Sequence, residues 1–261
     1  MNIIMKLTFC CFVYNTTFPI TIQYKQLLKH IKQKFDYIIF TDSTNEELIK
    51  LQDIVNTLNH INNVQLIHID SPHVDGSQSL GYCLNFATKY LFERRYDYEY
   101  EIVVYLHGDI FPYQDIDIQQ LLENYHIAST IETRILDSKT YMYLYPCLTV
   151  ININKIDVDL LDFRCDVGLD TGGLSYKYIY NYPNNIKVLI YNDITYYNIN
   201  DDLKAYFKKI ISICDQYQIN SVGWLSNGFY HFVAGSAWNM QNKNCSTGFQ
   251  TKIDLCKEYF N

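Results

Sequence analysis

The sequence predicts an α/β fold built on a mainly parallel sheet, and three observations carry that expectation. Four short apolar runs, rich in β-branched and aromatic residues, recur in the first 112 positions: Leu7–Tyr14, Asp36–Thr41, Val64–Ile69 and Ile102–Leu106. Segments with apolar residues at helical spacing lie between them. Each run stops at polar residues: Asn15, Thr41-Asp42, Asp70-Ser71 and His107-Gly108-Asp109. Strands alternating with helices are the mark of βαβ units, whose sheet is parallel and covered by helices on both faces.

The elements follow in order. Leu7–Tyr14 reads as a buried first strand, and Asn15-Thr-Thr-Phe-Pro19 as the loop at its C-terminal end. Ile20 to Lys34 carries Ile20, Tyr24, Leu27, Leu28 and Ile31 on one helical face. Asp36–Thr41 is strand two, and Glu46 and Glu47 then open a helix near its positive end that runs towards Leu58. Val64–Ile69 is strand three, stopped by Asp70-Ser71-Pro72; Ser79–Arg95 is a helix with Leu80, Cys83, Leu84, Ala87 and Leu91 on one face. Ile102–Leu106 is strand four, buried on both sides. Beyond Pro112 come a short helix (Ile116–Leu122), strands at Ala128–Thr133 and Tyr141–Asn152, and the turn-rich VGLDTGG of Val167–Gly173. A helix at Leu174–Tyr180, a strand at Lys187–Tyr191, an amphipathic helix at Asp201–Tyr217 and a short helix at Ile253–Tyr259 complete the pattern. No repeat, linker or low-complexity tract interrupts it, so residues 1–261 read as one domain with halves 1–112 and 113–261.

Composition excludes several function classes. A net charge of −7 and a pI near 5.4 argue against nucleic acid bound through a broad basic face. The eight cysteines are scattered without a CxxC pair, which disfavours a zinc ribbon or a thioredoxin-like site and suits a reduced, cytoplasmic setting. No run is long enough to span a membrane, the apolar Leu7–Tyr14 included. No GxGxxG follows strand one and no GxxxxGK[ST] occurs, against a classical dinucleotide fold and a P-loop NTPase. The 25 tyrosines accompany heavy use of Ile, Asn and Lys, which reflects an AT-rich genome as readily as a function. His30, His60, His68, His73 and His126 show no metal spacing.

The chain is organised around Glu101–Pro112, EIVVYLHGDIFP. A polar triplet ending a buried strand lies at the mouth of an open α/β sheet, where ligands collect. Asp109 is a hard oxygen donor and His107 a borderline nitrogen donor, so together they can hold a divalent ion and, through it, a phosphate. The plainer alternative is a loop aspartate capping a turn before Pro112.

With YLHGDIFP at the end of the fourth strand and before a short helix, the order of features resembles a GT-A glycosyltransferase. The resemblance spans most of residues 7–238, by order and spacing rather than identity, with DTGG (Asp170–Gly173) and HFVAGSAW (His231–Trp238) as its later landmarks. It implies a Rossmann-like, mainly parallel nucleotide-sugar-binding half and a mixed-sheet, acceptor-binding half. It implies Mn²⁺ or Mg²⁺ on an acidic DxD motif, a nucleotide-sugar donor (UDP being the commonest base) and a glycan or other hydroxyl acceptor. His107 stands where the family usually has its first Asp; Asp109 remains as the main metal ligand, with His231 as the second and His107 as a third ligand or a partner of the ribose. Asn15, Thr16, Asp42 and Asn85 are placed for the nucleotide and donor, and Gly235 and Ser236 for a phosphate. Asp170 or Asp166 would take the acceptor proton in an inverting enzyme; in a retaining one Asp170 would hold donor hydroxyls.

Each assignment has a structural counterpart. Asp42 can cap the helix at Glu46, His231 can be a buried histidine between Tyr230 and Phe232, and Asp170 can serve only a tight turn. At the level of function the alternatives are a sugar nucleotidyltransferase, which should show a Gly-rich basic loop after strand one, and a non-catalytic carbohydrate-binding or degenerate glycosyltransferase-like protein, which His107 favours. The AT-biased composition suits a large DNA virus, acting in the host cytoplasm, or an AT-rich microbe.

Overall fold

The computed structural model describes residues 6–59, 63–72, 76–97, 99–166, 168–190, 192–193 and 223–232, with isolated positions 205, 208 and 257. In chain order the elements are β1 (Leu7–Val13), α1 (Phe18–His30), β2 (Phe35–Thr41), α2 (Asn45–Leu58), β3 (Val64–His68), α3 (Gly76–Arg94), β4 (Ile102–His107), β5 (Ile110–Pro112), α4 (Ile118–Leu122), β6 (Ile127–Leu136), β7 (Lys139–Asn152), α5 (Tyr176–Asn181), β8 (Ile186–Val188), β9 (Asn192–Asp193), β10 (Gly223–Ser226) and β11 (Phe229–Phe232). Apart from the isolated positions 205, 208 and 257, the helices expected at Asp201–Tyr217 and Ile253–Tyr259 lie outside the described residues. Among the described residues no helix is long and apolar enough to cross a membrane.

The chain divides into two compact units. The first comprises Met1–Thr17, Gln33–His107 and Asp117–Leu189; the second comprises Phe18–Lys32, Gly108–Ile116 and Ile190–Asn261. The first unit is an α/β structure around a seven-stranded sheet of order β3-β2-β1-β4-β7-β6-β8. Of its strands β7 alone runs against the rest. Every residue of β1, β2 and β4 is buried, as continuous apolar runs in a parallel sheet require. The edge strand β3 is half exposed.

One face of this sheet packs against α3 and α5. Cys10, Phe12, Ile38, Phe40, Val103 and Tyr105 meet Cys83, Leu84, Ala87 and Leu91 of α3, with Tyr178 and Ile179 of α5 in the same core. Phe12 stacks on Phe40 at 5.5 Å and sets its edge to Tyr105 at 5.4 Å. The buried Tyr105 hydroxyl is satisfied by Thr88 Oγ1 at 2.8 Å. The opposite face, with Phe9, Cys11, Tyr37, Ile39, Val104 and Leu106, is equally withdrawn from water. Helix α2 buries Leu51, Val55 and Leu58 and packs along β3. At Gly81, α3 runs directly over the chain: a Cβ there would come within 2.7 Å of the Phe163 carbonyl oxygen and 2.9 Å of Arg164 Cα.

The second unit holds α1 and a four-stranded antiparallel sheet, β5-β11-β10-β9. The sequence reading had no strand at Ile110–Pro112 and none within Gly223–Phe232. The signal for the β10–β11 hairpin is Asn227-Gly228, both at positive φ (49° and 92°), the turn chemistry that closes a two-residue hairpin. Helix α1 buries Ile20, Tyr24 and Leu27 as expected but leaves Leu28 exposed. Buried Gln23 donates through Nε2 to the Ile110 carbonyl at 2.7 Å, which ties α1 to β5. Smaller differences concern ends. Helix α4 starts two residues later than expected because Asp117 caps it, accepting from Gln120 N at 3.0 Å. The Leu174–Tyr180 helix begins as a 3₁₀ turn at Gly173–Ser175. The strand expected at Lys187–Tyr191 pairs only over Ile186–Val188.

Two measurements follow. Gly81→Ala forces a methyl against backbone, so it costs about 1–2 kcal/mol net of the helix-propensity gain, read by urea unfolding. His30 sits buried beside Asp115 (Nδ1–Oδ1 3.2 Å), and burial lowers its pKa from 6.5, with Asp115 opposing. The unfolded chain therefore binds the proton more readily. This contribution to stability is full above pH 6.5 and is lost as pH falls below it. Thermal melts between pH 7.5 and 5.5 should show a drop that His30→Gln reduces.

Candidate functional site

In the first unit the registers Phe12↔His107, Val13↔Thr41 and Thr41↔His68 place the ends of β1 to β4 on one rim, as the alternation of strand and polar stop implied. Asn15 turns there at φ 45°. Its backbone N–H donates to Ser43 Oγ at 2.7 Å, and its side-chain oxygen accepts from Thr44 N at 2.8 Å. Ser43 in turn shares a 2.6 Å bond with Thr41 Oγ1. Asn15 therefore stitches the β1 loop to the β2 loop. Thr16 beside it is buried.

Asp42, half-buried, accepts a bond from Ser79 Oγ at the start of α3, and Ser79 also meets Ser71 Oγ at 2.8 Å. A line of hydroxyls thus runs from the β3 loop to the carboxylate. Among its described bonds Asp42 takes the hydroxyl of Ser79, whereas the side chain of Thr44, the N-cap of α2, makes no capping bond. Burial, and then the charge of Asp42, push the Cys83 thiol up to about 12, so Cys83 stays neutral. Ser43 carries no motif that singles it out in the sequence, and Ser71 and Ser79 stand there only as a strand stop and a helix start.

His107 ends β4 and is buried. Its Nδ1 lies 3.3 Å from the thiol of Cys147, which occupies β7 one step beyond the pair Leu106↔Leu148. Asn85 faces the segment after β7: its Nδ2 donates to Asp162 Oδ1 and its Oδ1 accepts from Phe163 N, both at 2.7 Å. Burial opposes charge on Asp162, but the Arg164 guanidinium and the Asn85 amide hold its carboxyl below the usual range. These bonds give Asn85 a place in the scaffold that its helical position alone does not reveal.

Asp170 accepts from Thr171 N at 2.7 Å, and its second oxygen lies 3.8 Å from the Arg134 guanidinium. Arg134 also bonds Glu132 at 2.9 Å and the Gly168 carbonyl at 3.3 Å. Asp166 is exposed, and its carbonyl closes a turn with Leu169 N at 3.0 Å. The glycines after Asp170 serve the chain itself. A Cβ on Gly172, at φ 90°, would overlap the Leu144 carbonyl oxygen, and one on Gly173 would lie 2.6 Å from Leu169 Cβ. No sequence pattern pointed to Arg134.

In the second unit, Asp109 and His231 meet. Strand β11 pairs with β5 so that His231 opposes Ile110, and Phe232 N donates to the Asp109 carbonyl at 3.0 Å. Gln23 holds the Ile110 carbonyl from the other side. His231 Nε2 then stands 3.4 Å from Asp109 Oδ1. The carboxylate is 1% exposed and the imidazole side chain 12%. A hard oxygen and an imidazole nitrogen are donor types that suit Mn²⁺ or Mg²⁺. Among the described residues no group of three or more His, Cys, Asp or Glu side chains gathers as a metal cluster. Gly235 and Ser236 lie outside the described residues.

No protein-family model matches the chain, and no curated protein does. Among solved structures it is similar to the apo structure of WbbM, a bifunctional glycosyltransferase, with a TM-score of 0.47 and 11% identity over 70% of this chain. The match spans 38% of that chain.

Replacing Asn85 by Ala removes one bond to a carboxylate and leaves Phe163 N without its acceptor. Its cost is about 2–3 kcal/mol in denaturant unfolding. A change within about 0.5 kcal/mol would show that the Asn85 clamp is not part of the scaffold.

Proposed function

We propose that the chain is a metal-assisted glycosyltransferase that moves a sugar from a nucleotide-sugar donor, with UDP the first base to test, to a glycan or other hydroxyl acceptor. The observation that supports this best is the meeting of Asp109 and His231, two residues far apart in sequence that the resemblance singled out as metal ligands. A buried carboxylate is costly unless it is paired, and an imidazole beside it supplies a partner that can also face a cation. Bound there, Mn²⁺ or Mg²⁺ would offset the negative charge that builds on the departing diphosphate.

The chain's own residues take the following roles. Asp109 and His231 orient the diphosphate end of the donor, with Gly235 and Ser236 as further phosphate contacts. Asp42, fixed by Ser79, accepts hydrogen bonds from the nucleoside; Asn15 and Thr16 shape the loop beside it. His107, steadied by Cys147, bonds the ribose or adds a third ligand. Asn85 acts on the donor through the 162–164 segment that it anchors. Asp170, oriented by Arg134, takes the acceptor proton if the reaction inverts, with Asp166 as the alternative, or holds donor hydroxyls if it retains.

A second reading is a degenerate, non-catalytic carbohydrate-binding protein. It is favoured by His107, which lies against a thiol where the family usually carries its first aspartate.

Nucleotide release from UDP-, GDP- and other sugar donors separates the two. A transferase should release nucleotide only with Mn²⁺ or Mg²⁺ present, and Asp109→Ala should cut that release by about two orders of magnitude. Release that survives the substitution would remove Asp109 from the metal site. No release with any donor would favour the non-catalytic reading.

A further inference from the structure

Three tyrosine rings meet at the surface of the first unit, where the β6–β7 hairpin lies against α5. Tyr141 sets its edge to Tyr176 with centroids 5.2 Å apart, and Tyr176 tilts against Tyr180 at 5.6 Å. Tyr180 is 48% exposed, and the other two rings are partly exposed. The Tyr180 hydroxyl donates to the Thr140 carbonyl at 2.8 Å, which fixes that ring on the hairpin. The cluster therefore stands in water with at least one ring pinned, whereas rings that serve only packing are driven into the core.

The cluster continues into charged chemistry. Tyr141 is the cross-strand partner of Arg134, and register partners project from the same face of a sheet. Arg134 bonds Glu132 at 2.9 Å and reaches Asp170 at 3.8 Å. One continuous surface thus offers aromatic faces, a planar guanidinium that donates, and carboxylates that accept. The charges already answer one another: the Arg134 guanidinium and the Lys177 ammonium, which stands 6.0 Å from the centroid of the Tyr176 ring, face the Glu132 and Asp170 carboxylates, so an anion gains little here. A neutral, polyhydroxylated ring matches all of it. Its C–H face stacks on a tyrosine, and its vicinal hydroxyls both donate to a carboxylate and accept from a guanidinium.

We propose that this tyrosine face is an acceptor-binding surface, and that it takes a neutral, pyranose-containing glycan stacked on Tyr176 and Tyr180 with hydroxyls towards the Arg134–Asp170 pair. The proposal rests on the glycosyltransferase reading for the word acceptor, and on the tyrosine geometry for the glycan.

The test is an array of neutral, sialylated and sulfated oligosaccharides probed with the full chain, followed by saturation-transfer NMR on the neutral binders. The wild type should bind neutral members preferentially, with saturation strongest on the ring C–H protons. Tyr176→Ala and Tyr180→Ala should each weaken binding about tenfold, the scale of one lost aromatic contact. Tyr180→Phe keeps the ring and should retain most of the affinity, which guards against a variant that merely misfolds. The absence of any neutral binder, a preference for anionic glycans, or affinity unchanged in the Tyr176→Ala/Tyr180→Ala double variant would overturn the proposal. Donor hydrolysis keeps the two readings apart. Metal-dependent release together with glycan binding indifferent to the tyrosines overturns the surface alone. Tyrosine-dependent glycan binding without release upholds the surface and overturns the transferase.

Discussion

A strand buried on both faces has no place for chemistry along its length. In β1, β2 and β4 every side chain is enclosed, and most are apolar because a buried polar group without a partner is costly. Two of the exceptions are matched, whereas the buried Thr8 hydroxyl of β1 has no hydrogen-bond partner among the described residues. Asp36 is answered by Lys6 at 3.2 Å, and the Tyr105 hydroxyl by Thr88. Polar function is therefore displaced to the strand ends. Parallel pairing then gathers those ends, because Val13, Thr41, His68 and His107 fall at neighbouring positions of one register. The rim and its hydroxyl line to Asp42 follow from a core that admits almost nothing polar.

The same constraint acts on the second unit at closer range. Asp109 is nearly sealed from water, so its surroundings must be built of donors and fixed backbone. Three contacts from two elements do this: His231 and Phe232 N of β11, and Gln23 of α1 through the Ile110 carbonyl. The last of these makes α1 part of the carboxylate's support. A small antiparallel sheet suits the task, since its ladder fixes the register of His231 against Ile110, and a shift by one residue would turn the imidazole to the other face.

The sheet of the first unit was legible because periodicity and polar stops are properties of each segment alone. Strand and helix positions through β4 agree with expectation to within a few residues. What could not be read were contacts between segments. Nothing in the helical face of α3 says that Asn85 will clamp Phe163, or that Gly81 must be small for the 163–164 backbone. The glycines of Asp-Thr-Gly-Gly announce close approach, but only the structure says what approaches: the Leu144 carbonyl and the Leu169 side chain. Arg134 and Cys147 lie in strands whose pattern speaks of sheet, and their reach to Asp170 and His107 depends on pairings across 36 and 40 positions. The β10–β11 hairpin is different, because Asn227-Gly228 was a local signal available from the start.

The carboxylates of Asp42, Asp109 and Asp170 end in three environments. Asp42 is half-buried and takes a hydroxyl from Ser79, a neutral donor that orients it without cancelling its charge. Asp109 is sealed beside an imidazole, a partner that can itself turn a nitrogen to a cation. Asp170 is open to water and faces a fixed guanidinium, which would repel a metal ion arriving at the same oxygen. The carboxylate at Asp109 is thus held away from water and the one at Asp170 is held within it. Residue type alone does not distinguish the three; the partner on each oxygen does, by setting how much charge each carboxylate still presents.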